Sequence, residues 1–251
     1  VTFVHIENLL DQLGSAASTD GDAEDIDLLP FEPGQIGVVA ASPGAGISRI
    51  FASLGAAAIV SGGQTMNPST EEILASFQDL PTDKIVILPN NKNIILAAQA
   101  AASVSDKKVA VIPCKTIPQG ISSILRLMPG MDFNVVVEDM VDAIDEVESG
   151  QITVATRTVE IDGLFIEEGQ VIALHNGKLI QSCTSVEDAV YSLLSEVDMD
   201  ERERVTFFYG KDITIDEVNT IVGGVENKYP DHEFEIHEGG QPFYQFIISI
   251  E

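Results

Sequence analysis

The sequence predicts an α/β protein in two lobes, a parallel-sheet lobe over residues 35–130 and a mixed-sheet α+β lobe over 131–251. Three observations predict it. Short continuous apolar runs alternate with helical patterns from Ile36 to Leu127, the mark of buried parallel strands covered on both faces. After Gly150 the runs alternate residue by residue, and His175-Asn176-Gly177 carries the Asn-Gly hairpin signal. The charge changes with the pattern: residues 35–130 hold seven Lys or Arg and five acids, whereas residues 131–251 hold six bases and 27 acids.

Val1 to Gly14 reads as the tail of a preceding domain, a short strand at Val1–Ile6 and then a helical turn, as expected of a piece of a longer protein. Residues 15–34 form an acidic linker by composition. Ile36–Ala41 is a strand, and Gly44-Ala-Gly-Ile opens a helix to Leu54. Ala57–Val60, Lys84–Leu88 and Lys108–Ile112 are strands, alternating with helices at Ser69–Phe77 and Asn93–Ala102. Ser69 is a natural N-cap, with Glu71 and Glu72 in the favourable first turn. Helices follow at Pro118–Leu127 and Val135–Val147. In the second lobe, Gln151–Glu160 reads as one long half-exposed strand and Val171–Leu174 with Lys178–Gln181 as a hairpin. A helix at Ser185–Val197, a strand at Arg204–Tyr209, a helix at Asp216–Tyr229 and strands at Glu233–His237 and Phe243–Ile250 complete the chain.

At 251 residues, 45% hydrophobic and 21% charged, the chain has ample material for a core. No apolar run approaches the ~20 residues of a membrane helix, and no secretory signal is evident. Stable membrane insertion is therefore not expected, and two cysteines, Cys114 and Cys183, make a reducing cytoplasm the default. The net charge of −27 excludes nucleic acid as a general ligand, because phosphate binding needs clustered Lys and Arg. An acidic surface serves solubility, or it steers a basic partner protein.

The candidate site is a set of polar loops after successive strands, where an open α/β sheet binds its ligands. Gly62, Gly63, Gln64, Thr65, Asn67 and Ser69 form the first, with two flexible glycines and a run of hydrogen-bonding side chains. A capped turn explains Asn67 and Ser69 and leaves Gln64 and Thr65 idle. Asn90, Asn91, Lys92 and Asn93 form the second, more polar groups than a helix cap needs, with Lys92 able to meet an anion. Lys115, Thr116 and Gln119 follow the fourth strand on the same rim. His237, Gly239, Gly240, Gln241 and Tyr244 lie between the last two strands and are expected at a cleft between the lobes. Other features read as structural. The Gly44-Ala-Gly46 turn lacks the third glycine of a dinucleotide loop and the Gly-Lys-Ser/Thr of a P-loop. Cys114 reads as a small buried residue, and Asp142, Asp145, Glu146 and Glu148 as a solvated helix face. The four histidines show no metal-ligand spacing, so no metal and no catalytic residue is assigned.

Four motifs in order carry a resemblance across residues 35–251: Gly62-Gly-Gln-Thr-Met-Asn-Pro-Ser-Thr70, Ile87-Leu-Pro-Asn-Asn-Lys-Asn-Ile-Ile95, Val111-Ile-Pro-Cys-Lys-Thr-Ile-Pro-Gln-Gly120 and Gly239-Gly-Gln-Pro-Phe-Tyr244. Together they resemble the C-terminal region of the bacterial fatty-acid kinase catalytic subunit, a dihydroxyacetone-kinase-related family. Cys114 stands where that family is expected to carry Thr or Ser. A weaker likeness joins the Gly63–Ser69 loop and His237-Glu-Gly-Gly to the ligand motifs of DegV-type fatty-acid binders, implying a two-lobe DegV-like fold.

The resemblance implies a module without catalysis of its own. ATP and magnesium would belong to an N-terminal domain that is not in this chain, and no cofactor is expected in this fragment. The implied partner is a fatty-acid-carrying DegV-type protein whose fatty acid becomes an acyl phosphate for phospholipid synthesis, and a homodimer is possible in the full-length protein. The alternative is a binder of a fatty acid or phosphorylated metabolite in the interlobe cleft, with Lys92 and Lys115 as anion partners. A third reading, a dihydroxyacetone-kinase-like enzyme using a covalent histidine, would make His237 essential.

Overall fold

The computed structural model describes residue 26 and residues 28–63, 67–161 and 164–251. The expected strand and helical turn at Val1–Gly14, most of the linker, and Gln64 and Thr65 lie outside them.

The first lobe is a four-stranded parallel sheet built from β1 (Gly37–Ser42), β2 (Ala58–Ser61), β3 (Lys84–Leu88) and β4 (Lys108–Val111), in the order β2-β1-β3-β4. Every residue of β1 is buried, which is why it reads as an unbroken apolar run. On one face lie α2 (Thr70–Gln78) and α3 (Ile95–Val104), packed through Ile73, Phe77, Ala98 and Ala101. Ser69 caps α2 in a full capping box: its hydroxyl accepts from Glu72 N at 3.1 Å, while its own N–H donates to the Glu72 carboxylate at 2.7 Å.

The other face meets α1 (Ala45–Ser53), α4 (Ile117–Ile124) and α5 (Phe133–Asp142), and these helices also pack on the second lobe. That lobe is a six-stranded mixed sheet of β5 (Glu148–Val154), β8 (Val171–His175), β9 (Lys178–Cys183), β10 (Arg204–Tyr209), β11 (Glu233–Glu238) and β12 (Tyr244–Ile250). Its order is β11-β10-β12-β5-β8-β9, with β10 and β11 parallel and every other pair antiparallel. Alternation along β10 and β12 sends Phe208 and Ile247 into the shared helical layer. It sends Phe207, Phe246 and Ile248 to the opposite face, under α6 (Val186–Glu196) and α7 (Ile215–Lys228). The molecule is thus five layers, α/β/α/β/α, with two sheets sharing the middle one. Each fully buried Phe or Ile contributes on the order of 1.5–3 kcal/mol.

Two expectations are corrected. The strand expected at Gln151–Glu160 ends at Val154, and residues 159–161 (β6) pair instead with 164–166 (β7) as a separate hairpin. The ladder partners run out there: Thr153 pairs Tyr244 at the start of β12, and Val154 pairs Val171 at the start of β8. Glu148 is not on a solvated helix face but opens β5, where its carboxylate lies 2.8 Å from His175 Nε2, 3.2 Å from Arg202 Nη2 and within hydrogen-bond reach of Asn176. Burial pushes that carboxyl up; hydrogen bonds from Asn176 and His175 and the Arg202 charge outweigh it and leave the group below its ordinary value. Among the described residues, no helix is long and apolar enough to cross a membrane.

Candidate functional site

The loops after β1, β2 and β3 pack into one rim at the carboxyl end of the parallel sheet. A side chain placed on Gly63 would lie 2.9 Å from Pro43 Cβ, and one on Gly62 would lie 2.9 Å from Pro68 and 3.0 Å from Ile94. Pro68 and Ile94 are buried beneath this rim, and Asn67, Ser69, Lys92, Asn93 and Lys115 stand exposed on it.

Several of the expected recognition residues are placed otherwise. Asn90 is 5% exposed with φ +55°, a left-handed conformation that asparagine tolerates. Its Nδ2 donates to Ala41 O at 2.8 Å and its Oδ1 accepts from Cys114 Sγ at 3.2 Å, so it ties β1 to the loops after β3 and β4. Gly120 on α4 gives it room, since a Cβ there would fall 1.8 Å from Asn90 Oδ1. Asn91 closes a local turn by accepting from Asn93 N at 2.9 Å, which delays the start of α3 to Ile95. Thr116 is buried as the N-cap of α4, its hydroxyl 2.7 Å from Ser149 Oγ on β5, a polar bridge between the lobes. Gln119 turns back to accept from Lys115 N at 2.8 Å.

The loop between β11 and β12 closes over the end of β1, and the expected cleft is here a junction of backbone on backbone. Ile47 N, in the first turn of α1, donates to Gly239 O at 3.1 Å. A Cβ on Gly44 would lie 2.5 Å from Gly239 O, and one on Gly46 only 1.8 Å from Glu238 O. The amide that would greet a phosphate at this helix start is thus already used by a carbonyl, and the turn does not fit a nucleotide. Gln241 is fully buried, its Nε2 donating to Phe208 O at 2.8 Å, and its Oε1 has no hydrogen-bond partner among the described residues. Gly239 must be glycine beside it, because a Cβ would fall 2.0 Å from that Oε1. His237 stacks on Phe208 with ring centroids 5.9 Å apart, and its Nε2 is 3.2 Å from Glu235. Tyr244 packs on the shared core, where burial pushes its phenol up.

Sequence reasoning does not assign Gly44 and Gly46 to this junction. The signal lies in two glycine pairs, Gly44/Gly46 and Gly239/Gly240, because paired glycines allow two backbones to touch. Cys114 is fully buried, and burial pushes its thiol up to about 12, only partly offset by the hydrogen bond to Asn90. It is expected to resist iodoacetamide in the native protein at pH 8 and to label only after unfolding in guanidinium, read by intact mass.

The two-sheet α/β architecture and its rim define a DegV-like fold. A Thermus thermophilus DegV family protein described for its fatty acid binding superposes with a TM-score of 0.63 at 14% identity, over 86% of this chain and 99% of that one. The Streptococcus pneumoniae fatty acid kinase B3 protein loaded with linoleic acid gives 0.57 at 12%, over 86% and 99%. The dihydroxyacetone kinase of C. freundii gives 0.57 at 12%, over 100% and 57%. Sequence goes further than fold. The chain matches the FakA-like C-terminal family, the C-terminal region of fatty acid kinases of that type, over residues 37–251, and it belongs to that family. It is 40% identical over 248 residues to protein YloV of Bacillus subtilis (strain 168), covering 99% of this chain and 45% of YloV. A Staphylococcus aureus (strain MRSA252) protein is 40% identical over 225 residues, covering 88% of this chain and 40% of its own length. The chain therefore spans less than half the length of these relatives.

Proposed function

We propose that the chain is a docking module of a fatty-acid kinase, and that its rim receives a fatty-acid-carrying DegV-type protein. The observation that carries the reading is the division of labour at the lobe junction. Phe51, Ile121, Met140, Phe208 and Ile247 fill the layer between the sheets, while Asn67, Lys92, Asn93 and Lys115 stand exposed beside it. An arrangement of that kind contacts a partner and leaves the carrying of an acyl chain to it. Nucleotide and magnesium chemistry, acyl phosphate formation and any dimer contact belong on this reading to the rest of the longer cytoplasmic protein.

The test is calorimetric titration of the 251-residue chain with a purified, fatty-acid-loaded DegV-type protein at low and moderate salt. Saturable binding that weakens with salt is expected, because 27 acids against six bases in the second lobe steer a basic surface. The triple variant Asn67→Ala, Lys92→Ala, Asn93→Ala is expected to weaken it at least tenfold, roughly 1.4 kcal/mol. Unchanged affinity in the triple variant removes the rim from the reading. Absence of binding at both salts removes docking, and favours the small-molecule alternative at another place. A pocket of about 380 Å³ lies at the amino end of the parallel sheet, lined by Leu29, Phe31, Ile36, Leu54 and Met131 with Lys84 beside them.

A further inference from the structure

Phe243 is an aromatic residue held in a conformation that aromatic residues avoid. Its φ is +70°, and the turn around it is closed by Tyr244 N donating to Pro242 O at 2.9 Å. That is a three-residue turn with positive φ at its centre, a strained form. The surroundings enforce it. Gly239 N and Gly240 N both donate to Tyr209 O, Lys211 N donates to Gln241 O, and the Thr153 hydroxyl donates to Phe243 O. Gln241 anchors the loop from inside. All this hydrogen bonding buries none of the ring's outer half: Phe243 remains 46% exposed. Beside it Val154, next to Thr153, is 36% exposed, and Phe165, on the hairpin that leaves the same end of the sheet, is 63% exposed. The loop continues the rim, through Gly239 against Gly44 and Pro43 against Gly63.

Resting on the docking reading above, we infer that Phe243 is the apolar anchor of the partner interface, a preformed aromatic knob that enters a socket on the DegV-type protein. A rigid aromatic that is already ordered loses little freedom on binding, and such residues dominate interface energetics. The occupant is a protein rather than a bilayer because a chain of net charge −27 is repelled by anionic lipid, while the same charge complements a socket with a basic rim.

The deciding variant is Phe243→Gly in the 251-residue chain, with Phe243→Ala beside it in case the glycine loosens the loop. Glycine removes the ring and the φ strain together, so the melting temperature is expected to hold or rise. Affinity for the fatty-acid-loaded DegV-type protein is expected to fall about 30-fold, chiefly through faster dissociation. Loss of less than tenfold, with the parent chain binding normally, overturns the anchor and leaves the docking module standing. A lowered melting temperature in both variants also overturns it, since Phe243 would then serve the fold. No binding by the parent chain defeats the docking reading and this inference with it. Binding of the parent chain, but not of Phe243→Gly, to vesicles containing phosphatidylglycerol would overturn the choice of a protein socket.

Discussion

Gly46→Ala is expected to destabilise the chain by about 3 kcal/mol, lowering the melting temperature by roughly 6–12 °C for a protein of this size. The new Cβ would sit 1.8 Å from Glu238 O, 2.7 Å from Glu238 C and 2.9 Å from Gly239 C. All three are backbone atoms, so no side chain can swing aside. One of two rigid bodies must move. The start of α1 is held by Ser48, whose hydroxyl lies 2.9 Å from Ser42 Oγ and 3.0 Å from Gly44 O. The opposing loop is held by its paired amides on Tyr209 O, and Gly210 behind it is equally confined, since a Cβ there would fall 2.1 Å from Tyr244 O. Either movement breaks the Ile47–Gly239 hydrogen bond and shifts the loop that presents Phe243. Gly223 is the control. It lies inside α7 with nothing within 4 Å of an added Cβ, so Gly223→Ala should be neutral or stabilising by up to about 1 kcal/mol. Thermal melts of the two alanine variants side by side separate loss of a glycine from loss of this contact. A Gly46→Ala melt matching the parent would mean that the lobes do not touch here.

The contrast between those glycines shows what a sequence can carry. Lys84–Leu88 and Arg204–Tyr209 are strands to the residue as read, because an apolar run bounded by charge or turn residues records burial on both faces. The Ser69 cap was equally legible, since its mechanism is local. Long-range facts were not. Gln151–Glu160 alternates throughout, and only the ends of β8 and β12 decide that the ladder stops at Val154. Asn90, Thr116 and Gln241 are polar, so composition assigns them to a surface; they are buried because Ala41 O, Ser149 Oγ and Phe208 O, remote in sequence, are there to pair with them. The shared middle layer escaped for the same reason, as one alternating strand can face two cores. The rim positions Asn67, Lys92, Asn93 and Lys115 needed no partner to be read as exposed.

Asn90 offers the sharpest separation of structure from recognition. Asn90→Ala removes the donor to Ala41 O and the acceptor for Cys114 Sγ in a buried site, and leaves alanine at φ +55°. An unpaired buried carbonyl costs about 1–3 kcal/mol and the left-handed backbone about 1 kcal/mol more, so a loss on the order of 3 kcal/mol is expected. Asn90→Gly relieves the backbone but not the lost pairs, and should lose about 1 kcal/mol less. Asn90→Asp keeps the shape and turns the donor facing Ala41 O into an acceptor. Burial raises the pKa of that carboxyl, so its penalty is largest at neutral pH and shrinks as pH falls and the folded state takes up a proton. Denaturant midpoints at pH 7 and pH 5 should therefore converge with the parent for Asn90→Asp and stay apart for Asn90→Ala. A recognition role predicts the opposite set: three variants as stable as the parent, each failing to bind the fatty-acid-loaded partner. Asn90 then sorts with the rim or with the core by measurement, and the burial of its amide between β1 and Gly120 places it with the core.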